Sequence, residues 1–77
     1  MKYIIISKDV ALRIGINLIG HYVLNNKIVV NQNEILLNGN LDGTLEERVS
    51  AIDGKLYTAA YIQRLIKKEG YELQCAK

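Results

Sequence analysis

Proline, phenylalanine and tryptophan are absent from this 77-residue chain, and cysteine and histidine occur once each, as Cys75 and His21. A single cysteine excludes an internal disulfide, and one cysteine with one histidine cannot make a structural zinc site of four protein ligands. No metal and no cofactor are therefore expected. Phosphate-cradling loops are missing too: neither GxxxxGK[ST] nor GxGxxG occurs, and the pair Gly39 and Gly43 lacks both the lysine and the preceding strand. No apolar run approaches the about 20 residues of a spanning helix, so no membrane partner is expected. After Met1-Lys2 only Tyr3 to Ile6 precede the polar Ser7-Lys8-Asp9, far short of a secretory signal's apolar region. The lone thiol suits a reducing compartment, which makes the cytoplasm the expected location. The lack of proline beside abundant Ile, Asn, Lys and Tyr suggests an AT-rich bacterial or phage genome.

Charge of one sign is scarce as well. The formal net charge is +2, too small to argue for a polyanionic partner, and no basic tail or arm exists. The first half carries Lys2, Lys8, Arg13 and Lys27 against Asp9 and Glu34, and the second half is balanced.

What the chain does have is apolar surface, at 49% of residues, with isoleucine and leucine dominant. A domain this small buries only about 60% of the surface its unfolded chain exposes. With neither disulfide nor zinc to reinforce it, good packing or self-association must supply the margin. A symmetric homodimer is the commonest form of the latter and is the expected one. Five tyrosines carry all the aromatic character; they suit an interface, although core packing explains them equally well.

Along the chain, Lys2 to Ser7 reads as a short buried central strand, because β-branched side chains suit a sheet covered on both faces. From Ser7 to Ile16 two patterns compete. Ser7 or Asp9 can cap a helix that Gly15 ends, whereas Val10, Leu12, Ile14, Ile16 and Leu18 alternate with strand period. The helix is favoured, with Ile16 folding back on its last turn. His21 to Val30 reads as a hairpin around Asn25-Asn26. Asn31 and Glu34 form a near capping box, with Val30 and Ile35 as its hydrophobic staple, for a short helix to Asn38 that Gly39 stops. Turn chemistry fills 38–43. Thr44 and Glu47 then supply a full capping box for a helix from Leu45 to Asp53, ended by Gly54 and buried through Leu45, Val49 and Ile52.

Thr58 caps the last helix, Tyr57 and Ile62 are its staple and Gly70 its stop, with Tyr61, Ile62, Leu65 and Ile66 as the buried face. Tyr71 to Cys75 reads as an edge strand. The fold class is thus α+β: one domain over residues 1–77, a short mixed or antiparallel sheet of N-terminal strand, central hairpin and C-terminal edge strand, packed against two to four short helices.

Chemical candidates are few. His21 is the one side chain suited to acid–base work near neutral pH, but a general base needs an orienting partner, and Ser7, Asp9 and Asp53 could reach it only through the fold. Cys75 lies near the C-terminus, away from the held, electropositive setting a thiolate needs. Glu46 and Glu47 point in different directions from one helix and are accounted for by its first turn. No catalytic residue is assigned.

The sharpest pattern is 44–70, two amphipathic helices joined by a short connection in the manner of a helix-turn-helix. Its second helix exposes Gln63, Arg64, Lys67 and Lys68, with Thr58 at the amino end, residue types that contact phosphates and bases. Lysines in a last helical turn also offset the helix dipole, and Glu46, Glu47 and Asp53 lie close in sequence. The leading expectation is a small cytoplasmic non-enzymatic binding or regulatory protein acting as a homodimer on a protein partner whose identity the residues do not specify. Nucleic-acid binding through Thr58, Gln63, Arg64, Lys67 and Lys68 is the alternative, and an enzyme centred on His21 ranks third.

Overall fold

Three consecutive isoleucines, Ile4 to Ile6, need cover on both sides, because successive side chains of a strand point to opposite faces. The computed structural model, which describes residues 1–76, supplies both covers. Its elements are β1 (Lys2–Ser7), α1 (Lys8–Arg13), β2 (Tyr22–Leu24), β3 (Lys27–Asn31), α2 (Gln32–Leu36), α3 (Leu45–Ala51), β4 (Leu56–Thr58), α4 (Ala59–Glu69) and β5 (Glu72–Leu73). The five strands form one sheet in the order β4-β1-β3-β2-β5. Every neighbouring pair is antiparallel, so of the two arrangements expected the sheet is the antiparallel one.

The faces divide by parity. Ile4, Ile6, Val23, Ile28 and Val30 point to the side covered by α1, α2 and α3, where they meet Ala11, Ile35, Val49 and Ile52. Val29, with the half-buried Tyr3, Ile5 and Leu24, points to the other side, which α4 covers through Ile62 and which Tyr71 helps to close. Ile4, Ile28 and Ile35 are wholly buried, each worth about 1.5–3 kcal/mol by transfer. β1 and β3 pair on both edges and are covered on both faces, which makes them the central strands.

Local chemistry sets the connections. Leu24 pairs with Lys27, leaving Asn25-Asn26 as a two-residue turn in which Asn25 carries φ 51°. Ser7 caps α1 by accepting from the Val10 amide, Gly15 takes φ 85°, and the Ile16 amide returns to the Ala11 carbonyl at 2.8 Å. This is the glycine-terminated helix end in which the residue after the glycine bonds back five positions. The Asn38 and Asn40 side-chain amides both donate to the Ile14 carbonyl, at 3.0 and 2.9 Å, so the polar 38–40 turn closes the end of α1. Both capping boxes form, Asn31 with Glu34 on α2 and Thr44 with Glu47 on α3. The Arg48 guanidinium donates to the carbonyls of Gly43, Ile35 and Asn38, joining α3 to the end of α2.

Five readings change. A strand, β4, lies where only a connection was expected, and it pairs with β1 from Lys2↔Thr58 to Ile4↔Leu56. The 44–70 segment is consequently not a helix-turn-helix: Val49 and Ile52 of the α3 end pack on one face of the sheet and Ile62 of α4 on the other. A helix-turn-helix needs its two helices against each other, and the sheet stands between these two. α3 also stops earlier than expected, at Ala51, with Asp53 rather than Gly54 in the left-handed conformation (φ 53°). Gly54 serves a different purpose, since a Cβ there would lie 2.6 Å from Ile4 Cγ2. Finally, Tyr61 is not part of the buried face of α4; it stays 42% exposed and stacks on Tyr57, with ring centroids 5.0 Å apart. α2 likewise ends at Leu36, with Leu37 as its cap.

Candidate binding groove

One helix cannot roof five strands. α4 packs on β1 and β4, and a groove of about 1020 Å³ opens beside it over β3 and β2. The floor is Tyr3, Val29 and Tyr22, side chains of three adjacent strands that point the same way. One wall is α4, presenting Ile62 and Ile66 low down and Gln63, Arg64 and Lys67 above them. Ala59 and Ala60, at the start of the helix, keep that end of the groove open because they have no bulk to fill it.

The end away from α4 holds His21 and Glu34. Turns at both ends of the histidine's peptide unit position it: the Gly20 amide donates to the Gln74 carbonyl, the Gln74 amide donates to the His21 carbonyl, and the His21 amide donates to Leu18. These bonds extend the β2–β5 pairing and fix the ring beside α2. There His21 Nε2 bonds to Glu34 Oε2. Glu34 Oε1 accepts from the Asn31 amide at 3.0 Å, so the carboxylate that completes the α2 cap also holds the imidazole. His21 Nδ1 is buried and without a hydrogen-bond partner. A neutral ring donating from Nε2 leaves Nδ1 as an unused acceptor lone pair, which is less costly to bury than an unused N–H.

Electrostatically the groove is one-sided. Glu34 is its single carboxylate, and it is engaged by His21 and Asn31. Among the described residues no acidic group lies within ion-pair distance of Arg64, Lys67 or Lys68; the His21–Glu34 pair is the only such contact. A second hollow, about 340 Å³, lies on the other flank of α4, but there Lys27 and Lys55 are balanced by Asp53 and Glu69. Burial raises the Tyr71 phenol beside that hollow, with the Glu69 charge adding to the effect.

Of the five side chains named from sequence, Gln63, Arg64 and Lys67 come together on the groove wall. Lys68 is exposed on α4 outside the groove lining, and the Thr58 hydroxyl is occupied in accepting from the Tyr61 amide at 3.2 Å. The partner of His21 is Glu34 rather than Ser7, Asp9 or Asp53. Glu34 was legible only as a cap, and the tyrosine floor only as unassigned aromatics. The parity of Tyr3 with Ile5 and of Tyr22 with Leu24 was the signal that could have placed both rings on one face.

Cys75 is exposed and free. No helix among the described residues is long and apolar enough to cross a membrane, and no group of three or more His, Cys, Asp or Glu among them is placed to hold a metal ion. Comparison with protein-family models, with curated proteins and with solved structures finds no match to this chain.

Proposed function

We propose that this chain is a non-enzymatic binding protein whose groove between α4 and the sheet takes nucleic acid, with Gln63, Arg64 and Lys67 as contacting side chains and Lys68 adding charge at the rim. The observation that carries this reading is a set of cations with no ion-pair partner among the described residues, along a groove whose one carboxylate among them is already engaged. Phosphate contacts of this kind supply most of the affinity of a nucleic-acid binder. Catalysis is left out of the reading because His21 has one ring nitrogen committed to Glu34 and the other closed off from solvent. A cytoplasmic, bacterial setting is part of the proposal on composition alone.

The test is fluorescence anisotropy of labelled DNA and RNA strands at low and near-physiological salt, with the wild-type chain and with Arg64, Lys67 and Lys68 all replaced by glutamine. Three cations releasing counterions from a single strand give a slope of about −2 in log K against log salt. The triple variant is expected to fold normally and to lose binding. An unchanged affinity in that variant, or no binding at low salt, defeats the reading.

A second reading is self-association through the opposite side of the molecule, supported by Leu37 at 85% and Leu12 at 59% exposure on the helical layer that α4 does not share. Sedimentation velocity over a wide dilution series decides it: a dimer that Leu37→Glu dissociates supports it, and a monomer throughout removes it.

A further inference from the structure

We infer that the groove binds single-stranded nucleic acid specifically, with bases stacking on Tyr22 and Tyr3 while the backbone runs along Arg64 and Lys67; this rests on the nucleic-acid reading above. Shape is the first argument. A helix that reads duplex DNA enters a major groove about 12 Å wide and must present its cations on a convex face clear of its own protein. Here α4 lies against the sheet through Ile62, and Arg64 and Lys67 border a concavity between helix and strands. Cations that border a concavity rather than a convex face suit one strand laid along the groove more than a duplex.

The floor is the second argument. Tyr22 is 38% exposed although it sits on a paired strand, and its cross-strand partner Leu73 is 47% exposed. More than a third of that residue is therefore free of packing, while the strand holds it in place. Aromatic side chains fixed on a sheet are platforms for unstacked bases, and every base offers a face to them. Tyr3, two strands away on the same face and half-buried, provides a second platform nearer α4. The volume is the third argument: about 1020 Å³ lies at the upper end of the range of ligand pockets, about 300–1000 Å³, and the groove is open at its sides, which leaves room for an extended strand.

The experiment measures anisotropy of a labelled oligothymidylate of about fifteen nucleotides, within the usual span of single-strand sites. An abasic strand with the same phosphates and a duplex of the same length are the comparisons. Proteins are the wild type, Tyr22→Ala and Tyr22→Phe, each checked for native circular dichroism. We expect the oligothymidylate to bind about tenfold or more tightly than the abasic strand, the size of one base–aromatic stack. Tyr22→Ala should lower its affinity about tenfold, toward the abasic level, with Tyr3 still stacking, and should leave the abasic strand's own affinity unaltered, while Tyr22→Phe should keep the wild-type difference. Equal binding of the abasic strand, or an unaffected Tyr22→Ala, overturns the stacking inference while the charge-based reading stands. Tighter binding of the duplex overturns the single-strand inference in the same way. No binding by any of the three strands at low salt removes both.

Discussion

Glu34 is bonded through both carboxylate oxygens, one to the Asn31 amide and one to the His21 ring. Truncating it to alanine removes a helix cap, worth about 1 kcal/mol, and leaves the half-buried imidazole without its partner, which costs roughly another 1–3 kcal/mol. Glutamine keeps an oxygen for the Asn31 amide, but its NH₂ can meet His21 only in the tautomer that buries an unpartnered Nδ1–H, so it retains the cap and not the histidine contact. Urea denaturation should therefore show Glu34→Ala about 2–4 kcal/mol less stable than wild type and Glu34→Gln about 1–3 kcal/mol less stable, the difference being the cap. Equal losses in the two variants would mean that the bond to the Asn31 amide contributes nothing. Gly54 poses the opposite case, a residue defined by what it leaves out. An added Cβ there lies 2.6 Å from Ile4 Cγ2, a wholly buried side chain that cannot swing aside. Gly54→Ala should cost about 1–3 kcal/mol by overpacking. Gly39→Ala, whose Cβ meets nothing within 4 Å, should stay within about 0.5 kcal/mol.

At the scale of elements, the parts that could be read from sequence are those whose determinants are adjacent in sequence. Ser7, Asn31, Thr44 and Thr58 all cap the helices they precede, each accepting from the amide three residues on, and Asn25-Asn26 makes the hairpin turn. β4 escaped because it is three residues long and its last residue, Thr58, is also the cap of α4. What makes it a strand is its pairing with Lys2–Ile4, more than fifty positions earlier, and no local pattern carries that information. The same omission produced the helix-turn-helix reading, since 44–70 without a strand looks like two helices and a turn. Half of the candidate site was legible, as the cations of α4. The sheet floor and the Glu34–His21 contact were not, because they depend on strand order. The α3 cap also gives a pH dependence. Hydrogen bonds from the Thr44 amide and hydroxyl hold the Glu47 carboxyl below its ordinary value of 4.5. A depressed acid stabilises the fold above its unfolded value, and that contribution disappears as pH falls through the folded one. Stability should therefore fall on acidification below about 4.5, and Glu47→Gln should flatten that limb of the urea-midpoint profile. A profile as steep in the variant as in the wild type would assign the acid sensitivity to other carboxylates.

Over the whole molecule the two faces of the sheet are unequally covered. Three helices bury Ile4, Ile6, Ile28 and Val30 on one side, where Arg48 and the paired asparagines also tie the helices and turns together. On the other side α4 is held by Ile62, by the partly buried Leu65 and Ile66, and by the turn at Gly70. Elements with few buried apolar contacts open at lower free energy than the global transition. Ile62→Ala removes contacts that are lost both when α4 opens and when the whole domain unfolds, so it should lower the opening energies of α4 and of β1 and β3 alike, by about 2–5 kcal/mol. Native-state hydrogen exchange resolves the two. In wild type the amides of Leu65 to Glu69 should exchange through a sub-global opening, at a lower free energy than those of Ile4 to Ile6. A single common free energy for both sets, in wild type and variant alike, would show that α4 is part of the same cooperative unit as the sheet. The distinction bears on binding because α4 carries the cations of the groove: a strand lying between them and the floor adds contacts on the weaker face only. Ligand bound to the closed form stabilises it in proportion to the logarithm of its concentration over its dissociation constant. A saturating oligonucleotide should accordingly raise the opening energies of α4 and of β1 and β3 by the same amount and leave the gap between them unchanged, whereas a rise confined to β1 and β3 would show that the strand stays bound when α4 opens and so is not held by the cations of α4.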